Sequence, residues 1–477
     1  MQDLSLLNSV IGPVMRGPSS SHSAAPYFIA TTIRQLAVGP GERLERARVV
    51  FDPSGSFAAV YAQQGSDEGF AAGFLAVALH DPDYRAALGN CGPGSPIEVV
   101  FDIEPLPDND HPNRTVIETA VRQTDGALRI DRFRAVSTGG GMFVVDGLNE
   151  QSISAAGTAC VVVEVDGRVR MAEPVQLPVA STEPLITSAA ALTAPGADLA
   201  ELALELEGRR LGLSTAQVRR HFADRLAVML ASVDAGLLAD PAADGMAYLR
   251  PTAGRVSGAS LPANLSPTFL HDAMSAALAV MEQNSNRGIV VAAPTAGSAG
   301  VVPGTLYALA RGGVDRSVLV DSLQVMSLVG GVFAAQGTFA AEMGGCSVET
   351  GASAAMAAGG ICRAMGGDAD QSFQAAAMCL MNTLGLVCDP VGGAVEIPCH
   401  ARNIAGVSHA YSAAMAILAG FDAVLPFDPL VRATVDVGRR MHPDLRCTGR
   451  AGCATAYPAG ASESVPLPSP SVPAQLG

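Results

Sequence analysis

The feature that most constrains the fold is a long helical stretch whose helices have almost no polar face. From about residue 189 to 458 the hydrophobic pattern is almost wholly helical, and after residue 270 the predicted helices are rich in Ala, Gly and Met. Helices with little polar face must be buried against one another, because they have no side to present to water. The sequence therefore predicts an all-helical unit with a large shared core.

Two details at the start of this helical stretch can be predicted. Residues 199–211 form one amphipathic stretch. Ser214 is followed three residues later by Gln217, which is the spacing of a capping box, where each side chain bonds the backbone N–H of the other residue. A second helix is therefore expected to begin directly after Ser214.

The first part of the chain mixes strand and helix patterns. We predict strands at residues 48–51, 97–101 and 159–165, a turn at Asp166-Gly167 and an apolar helix over residues 70–79. The expected fold class is α+β. Its parts are an N-terminal α/β domain (1–170), a linker rich in Pro, Ser and Thr (171–188), the helical domain (189–458) and a disordered tail rich in Pro and Ser (459–477).

Composition narrows the classes of function. Hydrophobic residues make up 49% and charged residues 16% of the 477 residues, which is a globular composition. The net charge of −15 and the isoelectric point near 4.9 argue against binding to nucleic acid or to anionic membranes. All 30 basic residues are arginine, so pyridoxal phosphate would find no lysine with which to form its Schiff base.

Neither a signal peptide nor a membrane span is expected. The first residues contain no basic stretch followed by an apolar one, and no run of about 18 uninterrupted apolar residues occurs. We therefore expect a cytoplasmic protein. In that reducing compartment cysteines are more often metal ligands or buried thiols than disulfides.

Three of the nine cysteines stand beside Gly or Pro, where helices begin or end: Cys346, Cys388 and Cys399. Backbone N–H groups are free at such places and can donate to thiolate or sulfide, and glycine lets the backbone approach a bulky cluster. By spacing alone, three buried free thiols are an equal alternative. A structural zinc site is less favoured, because no pair of short C-x₂₋₄-C knuckles occurs. Cys447 and Cys453, near the end of the helical stretch, stay open as further candidates.

The surroundings of these cysteines resemble the iron–sulfur-dependent L-serine dehydratases. Residues 388–399 are similar to that family's cysteine-to-cysteine segment, and Arg402-Asn403 follow as the family has them. Gly344-Gly345-Cys346 with Glu349 resembles its first cysteine motif. The separations of 42 residues (346 to 388) and 11 residues (388 to 399) suit the family.

Further motifs agree in the family's order. Residues 293–300 are similar to its glycine-rich loop, residues 17–23 resemble its N-terminal signature, and residues 111–113 and 137–141 resemble stretches of its smaller domain. The resemblance implies the single-chain form with both the beta-type and the alpha-type domain. It also implies that the first domain is an α/β domain like allosteric substrate-binding modules and that the second is an all-helical catalytic domain.

The resemblance implies a function and a cofactor. Cys346, Cys388 and Cys399 would hold a [4Fe–4S] cluster with one open iron acting as a Lewis acid, without pyridoxal phosphate. The reaction would convert L-serine to pyruvate and ammonia. The expected partner is a small amino-acid substrate, with neither nucleic acid nor membrane, and the expected assembly is a homodimer.

The same resemblance implies the remaining site residues. His22 and Ser298 are candidates for catalysis, and the candidates for substrate binding are Ser19, Ser20, Ser21, Gln64, Asp67, Gly140, Thr295, Arg402 and Asn403. Three alternatives stay open at this point. The serine loop could be an ordinary surface turn, Ser298 could only fill space, and Arg402 could form a structural salt bridge.

The sequence departs from the family at two points. Gln64 stands where the family usually has a histidine, and the end of the chain lacks the cysteine that often folds back onto the cluster. The first departure motivates an alternative in which the same chemistry acts on threonine or a modified serine. A non-catalytic iron–sulfur sensor is a third hypothesis. The base that removes the α-proton is not identified by the sequence.

Overall fold

The computed structural model describes residues 4–107, 109–183, 186, 188–242, 245–259 and 268–458. The strands are β1 Val14–Arg16, β2 Arg43–Phe51, β3 Glu98–Ile103, β4 Arg114–Arg122, β5 Leu128–Gly139, β6 Met142–Leu148, β7 Gln151–Ala155, β8 Val161–Val165, β9 Arg168–Ala172 and β10 Ile289–Val291. The helices are α1 Ala25–Ala37, α2 Ser56–Val60, α3 Ser66–Leu75, α4 Leu199–Leu211, α5 Thr215–Leu237, α6 Ala253–Ser257, α7 Thr268–Ser285, α8 Val301–Arg311, α9 Arg316–Gln336, α10 Ala341–Gly344, α11 Thr350–Ala364, α12 Ala369–Thr383, α13 Cys399–Leu418, α14 Phe427–Arg440 and α15 Cys453–Ala456. This content confirms a mixed α+β chain. The predicted tail, 459–477, lies outside the described residues.

Six strands of the first part form one sheet in the order β3-β2-β4-β5-β6-β7. Strands β2 and β3 are parallel, and every other neighbouring pair is antiparallel. Helices α1 and α3 pack beside this sheet through a core that includes Phe51, Phe57 and Phe70. These rings stack or tilt against one another at centroid distances of 5.1–6.4 Å, a geometry that favours aromatic packing.

The predicted local elements of the first part are largely confirmed, although helix α3 begins at Ser66 rather than Phe70 and two further details differ. Helix α3 ends at Leu75 rather than Leu79, because Ala76 has a left-handed backbone (φ 56°) and its N–H closes the helix on Ala72 and Gly73. The turn at Asp166-Gly167 is confirmed, since both residues have positive φ as a tight hairpin requires. That hairpin leads into β9, so residues 171 and 172 belong to a strand, which corrects their prediction as linker.

The helical stretch is built around α11. Residues 350 to 362 of this helix are all buried, and it packs against α9, α12 and α13. Gly360 lies so close to α9 that an added Cβ would be 2.2 Å from the Met326 side chain. Small residues thus allow the close packing that the Ala/Gly/Met composition predicts. The start of the stretch is confirmed as well: α4 covers residues 199–211, and Ser214 and Gln217 form the capping box that opens α5.

The first residues of the chain lie in the helical core, which sequence patterns do not predict. Leu6 and Val10 pack against Gly331 and Gly330 of α9, and β1 pairs antiparallel with β10. The strand β10 is therefore an exception to the helical pattern after residue 189. The pairing of β1 with β10 brings the loop after Arg16 next to the loop after Val291.

The buried carboxylate of Glu207 in α4 anchors this N-terminal segment. It accepts hydrogen bonds from Ser5 Oγ (2.5 Å), Leu6 N (2.8 Å) and Leu7 N (3.0 Å), and Glu207 is 2% exposed. Glu207→Ala leaves buried donors without an acceptor, so we expect a loss of about 3 kcal/mol in the free energy of unfolding. Urea unfolding measures this. Glu205→Ala on the exposed face of the same helix is the matched control, and equal losses for the two variants would contradict the anchoring role.

Among the described residues one helix, α9, is long and apolar enough to cross a membrane by length and composition alone. In the structure 83% of its most apolar window is buried within the protein. Buried core helices pass the same test of length and composition, so this helix is weak evidence for a membrane span.

Candidate metal centre and substrate site

The three predicted cysteines lie in separate segments of the helical part, and two of them, Cys346 and Cys388, come together. Cys346 lies in the short turn between α10 and α11, Cys388 lies in the loop after α12, and Cys399 is the first residue of α13. All three are buried, at 2%, 4% and 7% exposure. The ligand atoms of Cys346, Cys388 and Glu349 lie within 4.8 Å of one another, which is close enough to share one metal centre. Cys399 is not part of this set: it packs with Met281 and Val395, and it is related to the set by its electrostatic interaction with Cys346.

A fourth thiol, that of Cys447, lies beside this group. The backbone of Cys388 pairs with the C-terminal segment: Cys388 N donates to Leu445 O (2.9 Å), and Cys447 N donates to Cys388 O (2.8 Å). Cys447 is 7% exposed and packs with Cys346 and Cys388. Cys453 is different, because its thiol is partly exposed and its N–H donates to Asp389 Oδ2 (2.6 Å).

The electrostatics of the group favour one thiolate. The hydrogen bond from the Cys388 thiol and the charge of Arg402 lower the pKa of Cys346 to about 6, against the effect of burial. The pKa values of Cys388 and Cys399 are raised well above the usual range, the first mainly by its hydrogen bond to Cys346 and the second mainly by burial. Metal binding must therefore displace protons from two of the thiols.

Arg402 and Glu349 flank the thiols with opposite charges. Arg402 donates to Val387 O (2.7 Å) and pairs with Asp389 Oδ1 (2.7 Å), and its guanidinium also bonds the Cys346 sulfur. Glu349 lies over the glycine-rich loop, where a Cβ on Gly297 would be 3.5 Å from its Oε1. Burial and the charge of Cys346 raise the pKa of Glu349 well above its usual value. The structural salt bridge left open for Arg402 is thus present.

The serine loop after β1 is buried rather than exposed. Ser19 caps the turn over residues 20–24 and accepts from His22 N (3.1 Å), and Ser20 Oγ accepts from Ala296 N (3.3 Å). This arrangement corrects the alternative of an ordinary surface turn. The contact with Ala296 joins the serine loop to the glycine-rich loop across the β1–β10 pair.

His22 lies at the centre of a buried hydrogen-bond chain. Its Nδ1 lies 2.8 Å from Ser21 Oγ and 3.5 Å from Glu342 Oε1, and its Nε2 lies 3.1 Å from Ser56 Oγ. Ser21 Oγ also donates to Glu342 Oε1 (3.0 Å). Burial lowers the pKa of His22 below 6.5 while the charge of Glu342 opposes this, so the ring is neutral at pH 7. A neutral imidazole can accept and return a proton.

The glycine-rich loop is held by its own polar residues and by Asn403. Asn403 Oδ1 accepts from Gly300 N (3.0 Å), and its Nδ2 donates to Gly297 O and Cys399 O (both 2.9 Å). The hydroxyls of Ser298 and Thr295 lie 3.1 Å apart, and Thr295 also bonds Glu349. The Asn403 amide therefore ties the loop to the Cys399 end of α13.

Three predicted residues remain, Gln64, Gly140 and Asp67, and each lies in a different place. Gln64 is buried, and its Nε2 donates to Gly393 O (2.9 Å) and lies 3.8 Å from Cys447 Sγ. Gly140 lies against the glycine-rich loop, where an added Cβ would be 3.5 Å from Pro294 O. Asp67 accepts from Glu68 N (2.8 Å), and burial raises its pKa to about 6. No hydrogen bond or ion pair among the described residues links Asp67 to the cysteines.

Sequence reasoning missed two residues that face the site. Glu342 lies next to His22 and Ser21, and its position four residues before Cys346 is the signal that could have identified it. Ser56 bonds His22 from the start of α2, and its neighbourhood carries no recognisable pattern. His400, which follows Cys399 in the chain, has its Nε2 2.9 Å from Ser285 Oγ, and Ser285 belongs to α7.

Comparison with models of known protein families shows which family the chain belongs to. A family model described as "Serine dehydratase alpha chain" matches residues 179–454. The chain belongs to the serine dehydratase alpha-chain family. The match includes all three cysteines, the glycine-rich loop and Arg402-Asn403, whereas the serine loop and Gln64 lie before it.

Curated relatives of the family carry corresponding names. The chain is 41% identical over 187 residues to the "L-serine dehydratase, alpha chain" of Peptoniphilus asaccharolyticus (39% of this chain, 64% of the relative). It is 40% identical over 245 residues to the "Probable L-serine dehydratase, alpha chain" of Bacillus subtilis (49% and 78%), and 31% identical over 259 residues to the "L-serine dehydratase" of Streptomyces coelicolor (53% and 56%). The chain thus spans less than two thirds of the first and third of these relatives. The shared name confirms the predicted class of enzyme, a lyase.

Proposed function

We propose that this chain removes water and then ammonia from L-serine to give pyruvate, with a [4Fe–4S] cluster held by Cys346, Cys388 and Cys399. The observation that carries the proposal is that the buried thiols of Cys346 and Cys388 come together, with Cys399 near enough to interact with Cys346, inside the region that matches the family. Thiolates are the ligands that iron–sulfur clusters use. When bound, the cluster would supply an iron that acts as a Lewis acid toward the substrate.

The donor set fits such a cluster in four respects. The thiols are buried, which protects them from solvent, and they come from loops and helix ends, where free N–H groups can donate to sulfur. The Arg402 guanidinium offsets part of the negative charge that several thiolates bring together. Gly392 and Gly393 keep the Cys388–Cys399 segment close to Tyr248 and Val60, where a Cβ on either glycine would clash.

In this proposal, the residues around the cysteines have separate roles in the reaction. The Ser19–His22 loop and Ser56 hold the neutral His22 ring, which moves a proton during elimination. Asn403 fixes the glycine-rich loop so that Thr295 and Ser298 keep their positions beside Glu349. The first product, aminoacrylate, then tautomerises to an imine and hydrolyses to pyruvate and ammonia.

The domain roles in this proposal follow the same family. The sheet-containing part, which carries the serine loop and Gln64, corresponds to the beta-type domain, and the helical part corresponds to the catalytic domain. The homodimer and the cytoplasmic location expected from the sequence stay predictions.

The proposal is tested by anaerobic reconstitution and a substrate panel. We expect protein loaded with iron and sulfide to form equimolar pyruvate and ammonia from L-serine, and to lose this activity in air. The panel includes L-threonine and O-substituted serines, because Gln64 cannot shuttle a proton as the family's usual histidine can. If another hydroxy amino acid is turned over and no pyruvate forms from L-serine, that amino acid replaces L-serine as the proposed substrate. A loaded protein that turns over no hydroxy amino acid would favour the sensor, for which the fourth thiol of Cys447 is the supporting observation.

A further inference from the structure

A cleft of about 260 Å³ is lined by Ser56 and Glu342, two of the residues that contact the buried His22. Residues from three parts of the chain line it: Ser54 and Ser56 at α2, Glu342 of α10, and Arg446, Thr448 and Arg450 from the C-terminal segment. Ser56 bonds His22, and Arg446 directly precedes Cys447. The cleft therefore adjoins the hydrogen-bond chain of His22, and it is lined by the chain neighbour of Cys447.

Two groups of opposite charge line this cleft with unused hydrogen-bonding capacity. The Nε of Arg446 is buried without a partner, and its side chain makes no hydrogen bond or ion pair with any described residue. The Oε2 of Glu342 is likewise buried without a partner, and Glu342 is only 5% exposed. A buried polar atom without a hydrogen-bond partner is costly, so the Arg446 Nε and the Glu342 Oε2 on one small cleft indicate a ligand that supplies an acceptor to the first and a donor to the second.

We propose that this cleft binds the zwitterionic head of an α-amino acid, with Arg446 on the α-carboxylate and Glu342 on the α-ammonium. A guanidinium matches a carboxylate through two parallel N–H donors, and a carboxylate accepts from an ammonium by charge-assisted hydrogen bonds. The proposal rests on the proposed function in one respect only, which is that the ligand of this cleft is the substrate.

The arrangement would select against molecules that lack either charge. A hydroxy acid without an amino group leaves the Glu342 Oε2 without a partner, and an amino alcohol without a carboxylate leaves the Arg446 Nε without one. A site with a buried polar group that needs a partner from the ligand strongly rejects analogues that lack this partner. An apolar pocket rejects ligands of a different size less strongly. Arg446 and Glu342 are thus specificity-determining residues for the α-amino-acid head, whichever β-substituent the enzyme eliminates.

The proposal is tested by measuring ligand binding to the reconstituted protein by calorimetry under anaerobic conditions. The probes are L-serine, 3-hydroxypropanoate (no ammonium) and ethanolamine (no carboxylate). We expect Arg446→Gln to weaken L-serine binding roughly ten- to hundredfold while ethanolamine binding stays unchanged. Glu342→Gln should weaken L-serine binding by a similar factor while 3-hydroxypropanoate binding stays unchanged.

The pattern across probes separates recognition from misfolding, because damage to the fold would weaken every probe alike. Arg439→Gln, an exposed arginine on α14, is the matched control and should leave all three affinities unchanged. Arg446→Lys keeps the charge and should recover part of the L-serine affinity. Equal losses for L-serine and ethanolamine in Arg446→Gln, or no loss for either, would overturn the proposal. If the expected pattern appears but no pyruvate forms from L-serine, the proposed function fails and the amino-acid cleft stands.

Discussion

Cys388→Ser is expected to remove both the iron–sulfur absorbance and the formation of pyruvate, while the folded structure is retained. Cys388 is the central thiol of the group, because it hydrogen-bonds to both Cys346 and Cys447. A serine hydroxyl is a poor ligand for iron compared with a thiolate. The measurements are iron and sulfide per chain after anaerobic reconstitution, the visible spectrum, and a coupled pyruvate assay.

The chain offers two matched controls for this variant. Cys379→Ser changes a thiol that is also fully buried but lies within α12, away from the group, so it should leave iron content and activity close to those of the unchanged protein. Cys447→Ser removes the fourth thiol and should leave the iron content unchanged, because the other three cysteines persist. Activity that survives loss of iron in Cys388→Ser would refute the metal-dependent mechanism. Iron loss in Cys447→Ser equal to that in Cys388→Ser would show that all four thiols are needed to hold the cluster.

Features that depend on neighbouring residues were predictable from the sequence. The limits of α4 and the capping box at Ser214 follow from the periodicity and spacing of a few consecutive residues. The burial of α11 follows from its own composition, since a helix with hardly any polar residue has nowhere else to lie. The cysteine motifs were visible because glycine and proline mark the chain around each of them.

Features that depend on distant pairing were not predictable in the same way. The contact of Leu6 and Val10 with α9 joins residues more than 300 positions apart, and nothing in either short segment specifies the other. The same holds for Cys447, whose position beside Cys388 depends on backbone pairing with the C-terminal segment. Helix α3 ends early because Ala76 adopts a left-handed backbone, which is uncommon for alanine and carries no sequence signal.

The environment of Gln64 also became interpretable only in three dimensions. As a departure from a family pattern it suggested a change of substrate, but the structure gives its amide two neighbours, the Gly393 carbonyl and the Cys447 sulfur. The Gln64 side chain thus links the sheet-containing part to the cysteine segment through a neutral contact. A role in holding this segment is consistent with these contacts, whether or not the substrate differs.

His22→Asn is expected to lower kcat by about a hundredfold or more, with iron content unchanged. The ring is fully buried between Ser21, Ser56 and Glu342, so asparagine can keep one of its hydrogen bonds but cannot carry the proton. Proton transfer by a positioned side chain typically contributes factors of this size. Steady-state kinetics with L-serine gives kcat, and iron analysis gives the fraction of loaded protein. His221→Asn on α5, outside the site, is the control and should leave kcat unchanged.

An isotope effect distinguishes a loss of chemistry from a loss of active protein. If His22 takes part in elimination, its removal slows the chemical steps, and L-serine deuterated at Cα should show a larger isotope effect on kcat than in the unchanged enzyme. If the variant only lowers the active fraction, kcat falls while the isotope effect stays the same, and the proton-transfer role is refuted. The neutral state of His22 at pH 7, which follows from its lowered pKa, is the state that can accept a proton. Burial makes protonation of the His22 ring costly, and it therefore keeps the ring neutral and able to act as a base. The negative charge of Glu342 offsets part of this cost when the ring accepts a proton.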